Sequence, residues 1–529
     1  MQQRWLLPLC VVVGLVTAQA QVPRYDLILR NARVVDGTGT PWFRADVAIT
    51  GDTITRVAPG ISGQAAREID VAGLVVSPGF IDLHTHARRG LSATPTAPNY
   101  VRQGVTTVIE GPDGSSPVPL RPFLDSLEAL PKSVNIGSYI GQGSIRTRVI
   151  GAEDRRASAE EMRQMEALVD EGMRDGAFGL STGLFYVPGA FTPTDEVVAL
   201  ARVAGRLGGS HVSHQRDDAA KLLDSIRETI RIGEEGGLPT QVTHNKVIGK
   251  PNFGRSVDAL RLIDEARARG VDVTSDQYPY TASSTSVSSA LLPAWALEGS
   301  AAEQNARFKN PIERERILVA SLAMIRDERG GGDPVNVQFA NCGFDPQLAG
   351  KTLADLMKQR GLPLTLERAA ETVLWVAEQG GCQGIFHAMS EEDLVRILVH
   401  PATMISSDGE VPMFGRANPH PRSYGTFARV LGRYVRDQKA LTLETAIFKM
   451  TAFPAARLGL SDRGILRPGM KADLAVFDPA TVRDTATFQN PHQYAEGFSW
   501  VLVNGAVVFD GTRMTDARPG RVLYGPAKR

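Results

Sequence analysis

Apolar positions in the middle of the chain fall into two alternating patterns, one typical of helices and one typical of buried strands. In the segment 158–175, apolar residues such as Met165 recur on one helical face. Ser158 and Glu161 stand at its start with the spacing of a capping box. The segment is therefore predicted to be a helix, and a short apolar run at residues 178–181 predicts the strand that follows it.

The same alternation continues along the chain. Helices are predicted at about 195–207, 222–230 and 257–269. Strands are predicted to end at Ser213 and to cover 240–243 and 271–274. The strands recur about every 30 residues, roughly the length of one βαβ unit. This rhythm favours parallel strands with helical crossovers, and so a (β/α)8 TIM-like barrel, over a sandwich. A doubly wound parallel sheet also fits the periodicity alone. The rhythm breaks after residue 275, and an insertion near the barrel mouth is predicted at about 285–380.

The two ends of the chain share a different pattern. Short apolar runs separated by Asp-Gly and Gly-Asp turns fill residues 25–75, and similar runs at 473–477 and 501–503 surround a strong hairpin signal at Asn504-Gly505. Together they predict one small β-sandwich domain formed by both termini. The predicted boundaries are 1–20 for a signal peptide, 21–77 and 459–529 for the two parts of the β-sandwich, and 78–458 for the barrel.

The first 20 residues have the features of a secretory signal. Arg4 supplies a positive start, residues 6–16 are an apolar run too short to span a bilayer, and Ala18-Gln19-Ala20 is a small-residue cleavage site. An uncleaved membrane anchor is the alternative. With cleavage, the mature protein would begin near Gln21, would be secreted or periplasmic, and would have no stable membrane insertion.

Composition narrows the class of protein. Of 529 residues, 43% are hydrophobic and 22% charged, as in an ordinary globular protein. Lys and Arg total 58 and so do Asp and Glu, so no net positive charge is available for general nucleic-acid binding.

Cys342 and Cys382 would remain after removal of Cys10, and in an oxidising compartment they can either pair or stay as two buried thiols. Nothing in the sequence predicts an oligomeric state.

Candidate metal ligands occur where predicted strands end. His84 and His86 lie two residues apart, so they project from the same face of a strand. His214 and His244 each directly follow a predicted strand, and Asp408 follows the apolar strand at 404–407. Parallel barrel strands gather their carboxyl ends around one mouth. Four of only nine histidines stand at these positions, which predicts a metal site there.

Longer blocks around these residues carry a family resemblance. The chain resembles the amidohydrolase superfamily, and within it the N-acyl-D-amino-acid deacylases, also called D-aminoacylases. The His244-Asn245-Lys246 and His420-Pro421-Arg422 blocks are the more specific to that branch, together with the run at 276–280. The full set of matching stretches is 79–86, 103–114, 176–189, 211–216, 243–246, 276–285, 406–409, 420–429 and 462–477.

The resemblance implies a role for each matching residue. His84 and His86 would bind metal from strand 1, His214 and His244 would bind zinc from strands 5 and 6, and Asp408 at the end of strand 8 would be a ligand and the general base. The positions implied to bind the substrate carboxylate or the polarised carbonyl are Lys246, Tyr280, Ser284 and Arg422. The implied cofactor is one or two Zn²⁺ ions.

Three departures from the family pattern matter. Where deacylases have a zinc-ligating cysteine after strand 2, this chain has Asp113, which is preferred here over Glu110 as the ligand from that strand. An oxygen ligand is harder than a thiolate and makes a site less exclusive for zinc. Gln142 stands where a histidine often follows strand 3, and the strand at 178–181 has no lysine that could bridge two metals once carboxylated.

The implied function is hydrolysis of N-acyl-D-amino acids to a carboxylate and a free D-amino acid. Zinc would activate the attacking water, and Asp408 would serve first as base and then as acid. A cyclic amidase of the dihydropyrimidinase or hydantoinase kind, or a dipeptidase, is the alternative enzyme. A catalytically silent metal-binding protein of the cell envelope is the alternative from another class.

Two further histidines are not assigned to the metal site. His387 is placed near a predicted strand 7, where it faces either the barrel mouth or the core. His211 is predicted to be buried and to serve in packing.

Overall fold

The centre of the protein is a closed ring of parallel strands. The computed structural model describes residues 24–528. In that part of the chain the ring strands are Phe80–Asp82, Val105–Glu110, Asn135–Ser138, Gly179–Gly183, Ser210–His214, Thr240–Val242, Val273–Gln277 and Thr403–Ile405. Strand 3 continues as Ile140–Gly141 and pairs with strand 4. The ring closes where Gly409–Glu410, after strand 8, runs parallel to Thr85–His86, after strand 1. The predicted (β/α)8 barrel is confirmed.

Helices cover the outside of this ring. The helices of the barrel are Pro98–Val101, Arg121–Ala129, Gln142–Val149, Ala159–Asp175, Thr194–Arg206, Leu222–Gly236, Ser256–Ala268, Glu391–Val399, Arg422–Arg429 with its π-helical continuation Val430–Asp437, Leu443–Met450 and Ala452–Arg457. The helix predicted from its capping box begins as expected, because the Ser158 side chain accepts from the Glu161 amide and the Glu161 side chain accepts from the Ser158 amide. Its apolar face, including Met165 and Val169, is buried against the barrel.

One strand assignment from the sequence is wrong. His387 was placed near a predicted barrel strand 7, but the strand before it, Cys382–Phe386, pairs antiparallel with two strands outside the ring. Barrel strand 7 is Val273–Gln277, which lies between strands 6 and 8. A short apolar run indicates a buried strand without showing which sheet it joins. His387 consequently does not end a barrel strand.

The inserted elements form a small layer of their own. Their strands are Ser283–Ser286, Val337–Cys342 and Cys382–Phe386, and their helices are Val287–Leu291, Ala301–Lys309, Pro311–Asp327, Leu353–Gln359 and Leu366–Glu378. They extend slightly beyond the predicted bounds of the insertion at both ends. Cys342 and Cys382 lie opposite each other in the antiparallel pair and form a disulfide, which decides between the two alternatives left by the sequence.

Both ends of the chain build one sheet beside the barrel, as predicted. Its strands are Arg24–Val34, Phe43–Thr50, Thr53–Ala58, Gln64–Asp70, Val75–Pro78, Leu474–Phe477, Phe498–Val503 and Ala506–Phe509. Val76 from the first part pairs with Val476 from the second. The hairpin turn at Asn504 and Gly505 has both residues in the left-handed region, with φ of 46° and 80°, as a two-residue turn of this kind requires.

The predicted signal peptide and Cys10 lie outside the described residues. Among residues 24–528, no helix combines the length and the apolar character that crossing a membrane requires. The secreted or periplasmic location therefore stays a prediction at this point.

Candidate metal centre and substrate cavity

The strand ends bring the predicted metal ligands together. Two groups of side chains have ligand atoms within 4.8 Å of one another, and Asp113 belongs to both. The first group is His84, His86, Asp113 and Asp408, and the second is Asp113, His214 and His244. These are the six residues that the sequence analysis named.

The carboxylate of Asp113 is the centre of this arrangement. Its Oδ1 lies 3.5 Å from a ring nitrogen of each of His84, His214 and His244. Its Oδ2 lies 3.4 Å from His86 Nε2. Ligands about 2.05 Å from one zinc ion at tetrahedral angles stand about 3.3 Å apart. The spacing of the donors therefore fits metal ions between them.

Unpaired polar atoms support the same fit. Asp113 Oδ1 and His84 Nε2 are buried and have no hydrogen-bond partner among the described residues. A buried acceptor without a partner is costly. A cation among these atoms would satisfy them, and neutral imidazoles with carboxylates are a donor set that Zn²⁺ accepts.

The raised pKa of His84 also indicates that a positive charge is stabilised in this cluster. Burial acts to lower the pKa of His84, but the carboxylates of Asp113 and Asp408 outweigh it and raise that pKa to about 9. Burial and the neighbouring Lys246 lower the pKa of His244 to about 3. His244 is thus kept as the neutral imidazole that binds metals.

A tight turn presents Asp113 to the histidines. Asp113 has a φ of 56° and stands between Gly111 and Gly114, which also have positive φ. A Cβ on Gly111 would lie 2.7 Å from Tyr139 O, so this position requires glycine. Ser181 on strand 4 fixes the turn, since its hydroxyl donates to Gly111 O at 2.6 Å and accepts from Gly114 N at 3.2 Å.

Glu110 has a different partner. Its carboxylate accepts from the Arg88 amide at 2.9 Å and pairs with the Arg88 guanidinium at 3.4 Å. It belongs to neither of the two candidate metal groups of the described chain. Of the two carboxylates considered from the sequence, Asp113 is the one that lies among the histidines.

Two buried aspartates that the sequence analysis did not single out hold the ligands in place. Asp276 on strand 7 accepts from the His244 amide at 3.0 Å and lies 3.7 Å from His84 Nδ1. Asp82 on strand 1 accepts from the Ser407 amide at 3.0 Å, which joins strand 1 to the segment carrying Asp408. Asp276 was visible as a charged residue near the end of an apolar strand, and that was the signal available for finding it.

The candidate ligands His244 and Asp408 share an unusual backbone. Their φ angles are 34° and 50°, in a region that residues other than glycine seldom adopt. The Asp408 amide donates to His84 O at 2.9 Å, and the His244 amide donates to Asp276 at 3.0 Å. These hydrogen bonds keep the two side chains pointing into the mouth despite the local strain.

A cavity of about 750 Å³ opens in front of the ligands. Of the four side chains predicted to bind substrate, Lys246, Ser284 and Arg422 line it. Tyr280 does not, and this is a correction: it packs against His420 and Phe488, at ring-centroid distances of 5.4 and 6.3 Å. Tyr278 of the same motif lines the cavity instead. The loop after strand 7 leaves the barrel irregularly, so counting along the motif could not decide which tyrosine faces inward.

Arg422 holds the candidate general base. Its Nη1 lies 2.7 Å from Asp408 Oδ2, and its guanidinium stands over the Tyr278 ring at 4.7 Å. Burial acts to raise the pKa of Asp408, but Arg422 and the nearby His86 hold it well below its usual value. Asp408 is therefore ionised at neutral pH, while its other oxygen lies 3.1 Å from His86 Nε2.

A second buried cluster of charges lies beside the histidines. Asp218 accepts a hydrogen bond from Arg329 Nη2 at 2.7 Å and forms an ion pair with Lys246 at 3.1 Å. Neither Asp218 nor Arg329 was identified from the sequence. Arg329 lies in the insertion and looks like an ordinary surface arginine when read from the sequence.

The remaining polar residues have structural partners. Gln142 donates to Thr192 Oγ1 at 2.9 Å. His211 is fully buried between Thr182 and Thr240, as expected of packing. His387 is partly buried and stacks edge-on against Phe488, with ring centroids 4.7 Å apart.

Comparison with known proteins identifies the family. A model of the amidohydrolase family matches residues 67–509.

The chain belongs to the amidohydrolase family. This amidohydrolase is 37% identical to a D-aminoacylase of Alcaligenes xylosoxydans xylosoxydans, over 96% of this chain and 99% of the relative. It is a metal-dependent hydrolase of the class that cleaves carbon–nitrogen bonds other than peptide bonds.

Solved structures agree with this assignment. The amidohydrolase superposes with a TM-score of 0.81 on an N-acyl-D-glutamate deacylase from Bordetella bronchiseptica complexed with zinc and a phosphonate inhibitor; the two are 32% identical, and the match covers 95% of this chain and all of the other. A D-hydantoinase, at 15% identity and a TM-score of 0.55 over 95% of this chain and all of the other, shares the fold.

The position of Asp113 between both ligand groups leads to a first prediction. Replacing Asp113 with Ala should weaken metal binding by about tenfold or more, since a group that only orients a ligand already contributes that much. Metal content after dialysis, measured by inductively coupled plasma mass spectrometry, checks this. Glu110→Gln is the matched control and should retain the metal. Metal loss from the Glu110 variant alone would reverse the assignment.

Proposed function

We propose that this enzyme hydrolyses the amide bond of N-acyl-D-amino acids, giving a carboxylate and a free D-amino acid. The observation that carries the proposal is the joint presence, in one cavity, of an ionised Asp408 at the candidate metal ligands and of buried cationic side chains suited to a carboxylate. The D-aminoacylase relative, similar over nearly its whole length, supports the same reaction. The substrate is a small molecule.

The proposed cofactor is zinc, as one or two ions. His84, His86, Asp113 and Asp408 would hold one ion, and Asp113, His214 and His244 would hold the other, with Asp113 shared. The zinc in the related deacylase structure supports this choice of metal. When bound, Zn²⁺ supplies Lewis acidity, which lowers the pKa of water from about 15.7 to about 7.

Asp408 moves the proton. Its carboxylate is ionised and so has a site for the proton of the attacking water, and Arg422 keeps it oriented toward the cavity. The same carboxyl group can then deliver that proton to the departing nitrogen, which must be protonated to leave as an amine. One residue thus serves as base and acid in turn.

Lys246 and Arg422 would recognise the amino-acid half of the substrate. Both are buried and both line the cavity beside the candidate ligands. A free α-carboxylate satisfies such groups, and Ser284 would add a polar contact from the insertion. A cyclic amide lacks that carboxylate, so the cationic lining favours the linear N-acyl amino acid over the hydantoinase-like alternative.

The proposed location is secreted or periplasmic. The signal-like sequence at residues 1–20 and the disulfide between Cys342 and Cys382 support an oxidising compartment. In a cell expressing the full chain, the protein isolated from the periplasm should have its N-terminus near Gln21. Recovery of the intact N-terminus from the cytoplasm would contradict this location.

A substrate panel tests the proposed reaction. The zinc-loaded enzyme should release amino acid from N-acetyl-D-amino acids and leave the L-enantiomers largely unreacted, as measured by ninhydrin detection of the free amine. Equal rates on both enantiomers, or hydrolysis of hydantoins and dihydropyrimidines alone, would favour the cyclic amidase or dipeptidase alternatives instead.

The role of Asp408 gives a separate prediction. Asp408→Asn removes the proton acceptor while keeping an oxygen near His86, so kcat should fall about 100- to 10,000-fold. Metal content should stay near that of the wild type, because five of the six candidate ligands remain. Stopped-time assays with parallel metal analysis measure both quantities. A variant that retains full activity would exclude Asp408 as the base.

A further inference from the structure

Two buried cations beside the cavity share one carboxylate. Arg422 has Asp408 as its partner. Lys246 and Arg329, which are 2% and 3% exposed, share the single carboxylate of Asp218. Two cations on one anion leave one excess positive charge. Burying an uncompensated charge is costly, and this charge borders the cavity, where an anionic ligand can neutralise it.

The Arg329 guanidinium is held in a fixed position at the edge of the cavity, where an anionic ligand can reach it. Its Nη2 donates to Asp218 Oδ2 at 2.7 Å, and its Nη1 donates to Ser283 Oγ at 3.2 Å. Its guanidinium lies over the Phe185 ring, 4.5 Å from the centroid. A guanidinium fixed on several sides loses little conformational entropy when it binds a further anion.

The backbone after Arg329 is shaped to bring it inward. The helix Pro311–Asp327 ends just before it, and a glycine run, residues 330–332, follows. A Cβ on Gly330 would lie 2.3 Å from Ile325 Cα, so the turn can form only with glycine there. This turn places an arginine of the insertion beside Lys246, which belongs to the barrel.

The position of Lys246 indicates which anionic group of the substrate would bind to these two cations. Its Nζ lies 2.7 Å from His244 Nδ1, so it stands directly beside a candidate metal ligand. In an N-acyl amino acid, the α-carboxylate is the anion closest to the scissile amide bond. An anion that reaches both Lys246 and Arg329 while its amide lies at the metal centre is therefore the α-carboxylate.

We propose that Arg329 is a specificity-determining residue, which together with Lys246 binds the α-carboxylate of the substrate and is held in position by Asp218. This inference rests on the proposed function, and it adds that the insertion contributes directly to recognition of the free carboxylate. Arg329 contributes charge and position, and takes no part in moving the proton.

Two substrates that differ in the charge of the group next to the amide bond test this proposal. N-acetyl-D-alanine and N-acetyl-D-alaninamide share the scissile bond and differ in the negative charge of the carboxylate. Wild-type enzyme, Arg329→Gln and Arg329→Lys are compared on both, at equal zinc content. Arg326→Gln is the control, since Arg326 lies three residues earlier, pairs with Asp327 at the surface and has a side chain that is 55% exposed.

Loss of the charged contact should raise KM for N-acetyl-D-alanine about 10- to 100-fold in Arg329→Gln. The kinetic constants for the carboxamide, and kcat for the acid, should change little. Arg329→Lys should recover part of the loss, and the Arg326 control should match the wild type. Equal losses on acid and carboxamide, or no loss on either, would overturn the inference.

A second variant and a binding measurement without turnover complete the test. If Arg329→Gln fails to fold, Arg329→Lys, which keeps the positive charge but not the guanidinium, should still show a smaller loss that is selective for the acid. Thermal stabilisation by each compound measures binding without turnover. If the wild type hydrolyses neither compound, the proposed function fails, but N-acetyl-D-alanine should still stabilise the wild type more than Arg329→Gln. Equal stabilisation of the two would reject the role of Arg329 independently.

Discussion

The carboxylate of Asp113 determines how the mouth of this barrel is organised. Histidines from three separate strand ends approach its two oxygens, and a cation among them would satisfy the buried atoms of Asp113 and His84 that have no hydrogen-bond partner among the described residues. Ser181 fixes the turn that carries Asp113, and Asp276 and Asp82 fix the segments that face it. The closed ring of strands therefore acts as a frame that holds like and unlike charges at distances they would not adopt in a flexible chain.

Charges in the cavity form one balanced pair and one group of three that has more cations than anions. Arg422 and Asp408 balance each other, so the base remains ionised and oriented. Asp218 is shared by two cations, which leaves positive charge for the proposed anionic ligand to neutralise. A substrate with a carboxylate next to its amide bond would contact both groups of charges at the same time. Proton transfer would thereby belong to Asp408, and recognition of the carboxylate to the cationic side chains around it.

Much of this organisation was predictable because it depends on local rules. The Ser158 and Glu161 capping box locates a helix start, and strand-end histidines locate the mouth. Long-range choices were not predictable. The sheet joined by Cys382–Phe386 depends on antiparallel partners elsewhere in the insertion, and the inward-facing tyrosine after strand 7 depends on an irregular loop. Arg329 is recognisable only once the glycine turn has folded it against Asp218.

The sheet built from both termini affects the order of folding. Val76 cannot find Val476 until nearly the whole polypeptide has been made, because they pair across the length of the barrel. Closing so long a loop is entropically costly and slow compared with forming neighbouring βα units. The N-terminal strands must therefore wait with an unpaired edge while synthesis proceeds.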